Sequence, residues 1–250
     1  VTNGAVSTDA MEAIQNSDLL HHYAAQLDDY EPSGIIAEAD ICAPIPHPRN
    51  SFGVGLNYQL HVEEAASKTP STPMVFTKFP SCISGPTDDV IMRSDECDYE
   101  GELLVVIGKD GKDITKDEAW SHILGLSVGH DFSDRGVQYK DQPAQFNLGK
   151  SFDTFGPTGP YLVSTDSFTD PGDLEIRTTV NGEVRQSDRT SNMIFDIPTL
   201  ISYISSITSL VVGDIIFSGT PEGVGFRNGS FLKDGDIVET TIEGIGTMRN

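Results

Sequence analysis

Two glutamates stand immediately in front of a run of five apolar residues. Residues 98–108 read DYEGELLVVIG, and the apolar run at 103–107 predicts a buried strand that ends at Gly108. Side chains two positions apart on a strand point to the same face, so Glu100 and Glu102 are expected side by side at one end of this strand. Two close carboxylates repel each other and lose hydration. Their face is therefore either open to water or occupied by a cation.

The rest of the pattern predicts an α+β fold that is mainly β. Two hairpins are expected, one around the Asn181-Gly182 turn and one near the C-terminal end of the chain. Strands do not alternate regularly with helices as they do in βαβ units, so we expect a mixed β-sandwich roll. Further strands are predicted at 51–58, 75–79, 89–92, 126–133 and 214–220, and helices at 56–66, 116–124 and 196–207.

Local signals mark the ends of two of these helices. Thr115 with Glu118 three residues later is a capping box and Gly125 is a stop, so the helix between them is expected to be well defined. Asp196, with Pro198 in the first turn, predicts the start of the last helix.

Residues 1–48 differ from the main body at 49–250 and are predicted to form a small helical region. Helical spacing covers 10–27, with Asp18 as the cap of a second helix, and the proline-rich segment 42–50 is interpreted as a linker. The apolar positions of this helical pattern are Met11, Ile14, Leu19, Leu20, Tyr23 and Leu27.

The charge balance of the chain is strongly acidic. There are 38 acidic and 16 basic residues, so the formal net charge is −22. A folded domain this acidic repels nucleic acid and anionic membrane surfaces, and we expect neither as a partner. A salt-rich cytoplasm suits such a surface, which favours a halophilic protein over the alternative of an ordinary acidic enzyme.

Cysteine usage and hydropathy indicate the compartment. Cys42, Cys82 and Cys97 are odd in number and lack metal-ligand spacing, which is typical of a reducing compartment. No apolar segment approaches the roughly 20 residues of a membrane span, and the first residues carry no signal-peptide pattern. We therefore predict a cytoplasmic protein.

A third acidic residue extends the glutamate pair into a candidate metal site. Asp131 stands at the tip of an otherwise apolar strand, and hard divalent cations such as Mg²⁺ prefer oxygen ligands. Glu100, Glu102 and Asp131 together are therefore candidate ligands. The alternative is a salt-adapted acidic surface, since a chain with 38 acids contains many close acidic pairs.

Two lysines lie in apolar or small-residue surroundings in a chain that is poor in lysine. Lys78 lies within VFTKF and Lys150 within LGKSFDTFGP. A buried ammonium needs a partner, so each lysine is predicted to contact an acid. The contact is either a structural ion pair or a positive charge that binds an acidic substrate or stabilises an enolate.

His61 and Glu64 are expected on one face of a helix, three residues apart. A carboxylate beside an imidazole fixes its tautomer and raises its basicity, which makes a general-base pair; an exposed surface pair is the alternative. Arg135 can clamp a substrate carboxylate or neutralise Asp134. In the turn SGTPEGVG, backbone N–H groups and Thr220 can hold an anion.

Taken together and in order, these motifs resemble the fumarylacetoacetate hydrolase family. The resemblance is carried by GLNYQLHVEEA, VFTKFPSCISGP, DYEGELLVVIG, GHDFSDRGVQ, LGKSFDTFGPTGP, VNGEVRQSDRTSNMIFDIP and GDIIFSGTPEGVG, and it covers about residues 50–250. It is most similar to the short branch of acylpyruvate hydrolases, oxaloacetate decarboxylases, dienedioate isomerases and sugar-acid dehydratases. One departure is Asp134, where the family often has a small residue.

The resemblance implies a homodimer with Mg²⁺ or Mn²⁺ at its site and a small 2-oxo acid as substrate. By motif position, the metal carboxylates fall on Glu100, Glu102 and Asp131, the three residues that the spacing left as candidates. The catalytic residues would be His61, Glu64 and Lys150. The substrate-binding residues would be Arg135, Gln138, Lys78 and Thr220.

The expected chemistry starts with formation of an enolate. Hydrolytic C–C cleavage of an acylpyruvate and decarboxylation of oxaloacetate are the leading expectations, with His61 activating water. An isomerase of 2-hydroxyhepta-2,4-diene-1,7-dioate or a 2-keto-3-deoxy sugar-acid dehydratase is the alternative among enzymes. A metal-stabilised binding module without catalysis is the alternative outside them.

Overall fold

The chain was analysed as a computed structural model, which describes residues 5–26, 31 and 34–250. The helices are α1 Ala10–Ile14, α2 Ser17–Ala24, α3 Gln59–Glu64, α4 Arg135–Gln138, α5 Phe146–Gly149 and α6 Ile197–Ile207. The strands are β1 Ser51–Gly55, β2 Met74–Thr77, β3 Ile83–Ser84, β4 Cys97–Asp98, β5 Gly101–Ile107, β6 Ile123–His130, β7 Ser133–Asp134, β8 Gly156–Val163, β9 Glu175–Val180, β10 Glu183–Arg189, β11 Ile215–Phe217, β12 Val238–Ile242 and β13 Gly246–Arg249.

A seven-stranded mixed sheet carries the predicted glutamate strand at its centre. Its order is β2-β1-β11-β5-β6-β8-β3, with β1–β11 and β3–β8 parallel and the other pairs antiparallel. All apolar residues of β5 are buried. Leu103, Val105 and Ile107 pack into one core cluster, and Leu104 and Val106 into another. Because β5 is covered on both faces, its sequence is a continuous apolar run rather than an alternating one.

A four-stranded antiparallel sheet, β10-β9-β12-β13, contains both predicted hairpins. At the first turn Asn181 and Gly182 have φ of 52° and 79°, the left-handed values that an Asn-Gly hairpin turn requires. Ile176 and Ile242 from this sheet join the core cluster that also holds one face of β5. The prediction of an α+β, mainly β fold is confirmed.

The helix α6 covers the same core and begins where the sequence predicts. The Asp196 side chain accepts a hydrogen bond from Thr199 N–H at 2.9 Å, and proline stands in the first turn. Ile197, Leu200, Ile201 and Ile204 are buried at helical spacing. Ser205 is the buried polar residue of this helix, and its hydroxyl oxygen accepts a hydrogen bond from Ile114 N–H at 3.0 Å.

The helical region at the N-terminal side is also present, with one correction. Two helices form, but Asn16 rather than Asp18 is the N-cap residue of α2, and Asp18 lies in its first turn. Ile14 packs against Ile45 and Leu104 beneath the large sheet. Leu27, the last predicted apolar position, lies outside the described residues. The boundary between 1–48 and 49–250 stays a prediction.

Two local predictions are wrong. In place of a helix at 116–124 there is a single 3₁₀ turn, Ala119–His122, and β6 begins directly after it. The reason lies in the capping box, because the Thr115 hydroxyl donates to the Glu118 carboxylate at 2.6 Å instead of accepting from a helical N–H. Residues 89–92 form no strand. Ile91 N–H donates to the side-chain oxygen of Thr154 and not to the backbone of another strand.

No helix within the described residues is long and apolar enough to cross a membrane. All three cysteines are free thiols, with Cys82 and Cys97 buried and Cys42 exposed.

Close packing between the sheets fixes the backbone between the two glutamates. A Cβ atom on Gly101 would overlap the hydroxyl oxygens of Thr178 and Thr240, which lie in β9 and β12. We expect Gly101→Ala to destabilise the protein by about 1–3 kcal/mol, measured by chemical denaturation, because overpacking shifts β5 away from the second sheet. The control Gly34→Ala, whose Cβ would meet nothing within 4 Å, should leave stability unchanged. A Gly101→Ala protein as stable as the wild type would contradict this close approach, and Thr178→Ala should restore part of the lost stability.

Candidate active site

Three buried carboxylates meet where β5 begins and β6 ends. Gly101 pairs with His130 in the antiparallel sheet. Glu100 and Glu102 are the neighbours of Gly101 in sequence, and Asp131 follows His130, so this pairing brings the three carboxylates together. One oxygen from each carboxylate lies within 4.8 Å of the others. Their exposed fractions are 6% for Glu100 and 1% for Glu102 and Asp131, so the alternative of a solvated acidic surface is wrong for this group.

Both predicted lysines bind these carboxylates. Lys150 donates to Glu100 Oε2 and Asp131 Oδ2, each at 2.7 Å, and to Ser133 Oγ at 2.9 Å. Lys78 donates to Asp131 Oδ1 at 2.7 Å and to the backbone carbonyls of Lys150 and Phe155. The question raised by the glutamate pair is thus answered, since cations do lie at that face, and the predicted acid partners of the lysines are confirmed.

The two glutamates differ in their electrostatic surroundings. Burial tends to raise the pKa of Glu100, but Lys150 and Arg135 outweigh burial and lower it to about 2. Burial raises the pKa of Glu102 well above its usual value, and the charges of Asp131 and Glu100 raise it further. Glu102 forms no ion pair with a side chain of the described residues; Gly219 N–H donates to its Oε2 at 2.7 Å.

This donor set fits a hard divalent cation. All three side chains supply carboxylate oxygens, which are the ligands that Mg²⁺, Mn²⁺ and Ca²⁺ prefer. Burial and the charges of Asp131 and Glu100 disfavour a negative charge on Glu102 more than Lys150 favours it, so an additional positive charge would be stabilised there. Glu100, Glu102 and Asp131 are thus able to bind a metal ion.

The predicted histidine–glutamate pair forms on α3. His61 Nδ1 lies 3.1 Å from Glu64 Oε2, and Gly223 N–H donates to both oxygens of Glu64, at 3.1 and 3.2 Å. His61 is buried at the cavity wall, and only part of Glu64 is exposed. The carboxylate therefore holds the ring by its Nδ1 edge.

Arg135, on α4, binds buried side chains but not Asp134, the acidic partner that the sequence offered; its expected contact with a substrate carboxylate stays a prediction. Its Nε and Nη2 donate to Asp98 Oδ2 at 2.9 and 2.7 Å, and Nη2 also donates to Glu100 Oε1 at 2.6 Å. Its Nη1 donates to Gln138 Oε1 at 2.8 Å. Asp134 is not its partner; the Asp134 side chain caps α4 by accepting from Val137 N–H at 2.9 Å. The unusual aspartate is thus a helix cap.

The turn at 218–225 uses its N–H groups on the protein's own carboxylates. Gly219 donates to Glu102, Gly223 to Glu64 and Gly225 to Asp98 Oδ1. The turn thus holds anions as expected, and those anions are side chains of the protein itself. Thr220 Oγ1 donates to the carbonyl of Gly101 at 2.9 Å, which ties the turn to the start of β5.

The sequence interpretation missed two residues that build the site. Asp98 is buried and precedes Glu100 by two positions, so the same strand periodicity that paired the glutamates indicates it as well. Gln186 comes from β10; its Oε1 accepts from Gly101 N–H at 3.0 Å, and its Nε2 donates to Thr220 Oγ1 at 2.7 Å. No local signal distinguishes Gln186 from the exposed polar residues of its hairpin.

The predicted residues surround one cavity of ≈430 Å³. Six of them line it: His61, Glu100, Arg135, Gln138, Lys150 and Thr220. Glu102, Asp131 and Lys78 lie among the polar contacts beneath it, and Glu64 lies behind His61. The structure thus brings all ten together, while their catalytic and binding roles stay predictions. A larger cavity of ≈1030 Å³, between residues 89–95 and 229–238, is lined by none of them.

Comparison with known proteins agrees with this arrangement. The family model described as fumarylacetoacetate (FAA) hydrolase C-terminal matches residues 50–250. Oxaloacetate tautomerase YisK of Bacillus subtilis is 44% identical over 223 residues, which cover 86% of this chain and 73% of the relative.

Two solved structures share the fold. The 2-hydroxyhepta-2,4-diene-1,7-dioate isomerase of Mycobacterium marinum has a TM-score of 0.73 at 40% identity, covering 84% of this chain and 75% of its own. Maleylpyruvate hydrolase of Sphingobium sp. SYK-6, solved with manganese(II) and pyruvate, has a TM-score of 0.80 at 29% identity, covering 96% and 83%. The predicted family resemblance is confirmed: the chain belongs to the fumarylacetoacetate hydrolase family of enzymes.

Proposed function

We propose that this protein is a divalent-metal-dependent enzyme that acts on a small 2-oxo acid through its enolate, with oxaloacetate as the favoured substrate. One observation carries the proposal: three buried carboxylates and Lys150 meet at a cavity that His61 also lines. The identity of 44% to a protein named an oxaloacetate tautomerase supports oxaloacetate as the substrate and interconversion of its enol and keto forms as a reaction.

Mg²⁺ or Mn²⁺ is the proposed cofactor, with Glu100, Glu102 and Asp131 as its ligands. The oxygen-only donor set supports it, and a relative of the same fold binds manganese(II) together with pyruvate. When bound, such an ion polarises the 2-oxo group of the substrate as a Lewis acid.

The cavity supplies donors for the substrate's carboxylate and for the developing negative charge. Gln138 Nε2 is buried without a hydrogen-bond partner, and Arg135 uses four of its five N–H donors on protein groups, so each retains one or more donors. Lys150 is held protonated, because Asp131 and Glu100 outweigh the effect of burial and raise its pKa. Its charge stabilises an oxyanion that forms nearby.

His61 is the proposed proton carrier. With Nδ1 held by Glu64, the Nε2 edge remains to exchange protons with the substrate. In tautomerisation, the enol O–H loses a proton and C3 gains one. In the hydrolytic alternative, His61 removes a proton from water, whose oxygen bonds to the distal carbonyl carbon of an acylpyruvate. The bond between that carbon and C3 then breaks, C3 takes up the proton, and pyruvate and a carboxylic acid are released.

The test is a set of three assays run in parallel in molar KCl with Mg²⁺, Mn²⁺ or a chelator. They follow the loss of enol-oxaloacetate absorbance, pyruvate release from oxaloacetate and pyruvate release from acetylpyruvate. We expect metal-dependent activity on oxaloacetate. His61→Gln should lower it by about 100-fold or more, the usual contribution of a positioned acid–base group. The exposed control His21→Gln should be unaffected.

Each contrary result points to a specific alternative. Activity that survives complete metal removal would refute the metal-dependent mechanism. Silence in all three assays, with metal-dependent protection from unfolding by oxalate, would favour the dienedioate isomerase or sugar-acid dehydratase. Protection by metal alone, with no effect of oxalate, would favour a metal-stabilised binding module.

We also propose a cytoplasmic homodimer adapted to high salt, with no nucleic-acid or membrane partner. The net charge of −22 supports the salt adaptation and argues against polyanionic partners, and three free thiols suit a reducing compartment.

A further inference from the structure

The cations at the base of the cavity are already paired with protein groups. Lys150 uses all three of its N–H donors on Glu100, Asp131 and Ser133. Arg135 retains only one N–H, as described above. These residues therefore have little capacity to bind a second carboxylate on the same substrate.

Arg227 lines the same cavity and is bonded differently. Its side chain is exposed, its Nη2 donates to the backbone carbonyl of Ala65, and its guanidinium lies 5.3 Å from the centroid of the Phe226 ring. It pairs with no carboxylate among the residues that the structure describes. Of the two arginines that line this cavity, Arg135 is bound to two carboxylates and Arg227 to none of the described ones.

The cavity wall near Arg227 is largely apolar. Tyr139, Phe146, Val224 and Phe226 line it, together with Met74 from β2. A second carboxylate placed against these side chains would lose its hydration without a compensating contact unless a cation were in reach. A guanidinium is suited to this contact, because its N–H groups match the two oxygens of a carboxylate.

The turn that carries Arg227 is anchored to the base of the site. The 3₁₀ turn Gly225–Arg227 is held by Asp98, which accepts from Gly225 N–H at 2.7 Å and from Phe226 N–H at 3.0 Å. The same carboxylate binds Arg135, and the Phe226 ring stacks on Tyr139 at 4.9 Å. The backbone at Arg227 is therefore fixed in position relative to Arg135, one of the groups proposed to bind the 2-oxo acid.

We propose that Arg227 binds the distal carboxylate of the substrate and makes this protein select 2-oxo dicarboxylic acids over 2-oxo monocarboxylic acids. The inference rests on the proposed function and names the substrate class for the same cavity. Arg227 also has a structural contact, because Ala65 is the C-cap residue of α3 and a cation there stabilises a helix. The test has to separate the two roles.

Oxaloacetate and 2-oxobutanoate provide a matched pair, since both are four-carbon 2-oxo acids and they differ only in the distal carboxylate. KM and kcat are measured for oxaloacetate, and the inhibition constant for 2-oxobutanoate, in the wild type, Arg227→Gln and Arg227→Lys. We expect Arg227→Gln to raise KM for oxaloacetate by roughly ten- to a hundredfold while the inhibition constant of 2-oxobutanoate stays unchanged. Arg227→Lys should retain part of the affinity.

The control variant is Arg249→Gln, an exposed arginine 3.5 Å from Glu239 that makes the same change in net charge outside the cavity. It should leave both constants unchanged. An equal loss of affinity for both acids in Arg227→Gln would assign Arg227 to support of α3, and no change for either acid would show that it does not contact the substrate; both results overturn the inference. A wild type that converts no oxaloacetate refutes the proposed function and the inference with it, whereas an active wild type with an unchanged Arg227→Gln refutes the inference alone.

Discussion

Replacing Glu102 with Gln is expected to abolish metal-dependent turnover and, at the same time, to stabilise the metal-free protein. Activity should fall by more than roughly 100-fold, since loss of groups that only orient metal ligands already costs about 10–100-fold. The fold should persist, because the amide oxygen of the introduced glutamine can still accept the hydrogen bond from Gly219 N–H.

The stabilisation follows from the raised pKa of Glu102. The folded protein binds the Glu102 proton more tightly than the unfolded chain does, so ionisation of Glu102 costs stability as the pH rises above the ordinary value of 4.5. The substitution removes this cost and also the repulsion from Asp131 and Glu100. In a chelator at pH 8 we expect the variant to gain about 0.5–2 kcal/mol in the free energy of unfolding, and the gain should shrink as the pH falls toward 5.

Thermal and chemical unfolding with and without Mn²⁺ measure both effects. Mn²⁺ should stabilise the wild type and leave Glu102→Gln unchanged. The control Glu175→Gln removes an exposed carboxylate on β9 and should alter neither activity nor the response to metal. A Glu102→Gln protein that is less stable than the wild type in chelator would contradict the repulsion of Glu102 by its neighbouring carboxylates. One that is still stabilised by Mn²⁺ would contradict the assignment of Glu102 as a metal ligand.

Replacing Lys78 with Met is expected to cost about 3–5 kcal/mol of stability in the metal-free protein. The Lys78 ammonium is fully buried and binds Asp131 and the backbone carbonyls of Lys150 and Phe155. Methionine has a similar length but donates no hydrogen bond, so a buried carboxylate loses one of its two ion-pair partners and two carbonyls lose a donor.

Denaturant unfolding in chelator measures this loss, with Lys116→Met as an exposed control that should change stability by less than about 0.5 kcal/mol. Mn²⁺ should restore part of the stability of Lys78→Met, because a bound cation again neutralises Asp131. A variant that unfolds at the wild-type denaturant concentration would show that the ion pair contributes no net stability.

Several features of the fold could be predicted from the sequence because a few neighbouring residues encode them. Asn181 and Gly182 favour a hairpin turn with positive φ at both positions, which the structure has. Asp196 and Pro198 mark the start of α6. The prediction around Thr115 and Glu118 failed for the opposite reason. The same two side chains bond to each other, and a capping pattern alone does not specify which partner the hydroxyl takes.

Part of the candidate site likewise follows from local sequence, and part does not. The alternation of Glu100 and Glu102 places two carboxylates on one face of the chain before any tertiary contact is known, and it leaves water or a cation as their possible surroundings. The family motifs then indicated which histidine, lysines and aspartate accompany them, and the structure brings these residues into one cavity.

The amino-acid sequence by itself determined ten residues of the site but not Asp98 or Gln186, through the two-residue period of a strand, the cost of burying unpaired charge and the order of the family motifs. Only the tertiary structure decided how they pair: Arg135 binds Asp98 and not Asp134, the N–H groups of the 218–225 turn bind protein carboxylates, and Gln186 joins Gly101 to Thr220. These contacts connect segments that meet because β4 pairs with β7, β5 pairs with β11 and the two sheets pack together. A local pattern specifies the direction of a side chain, whereas its partner depends on which distant segment the packed core brings within hydrogen-bonding distance.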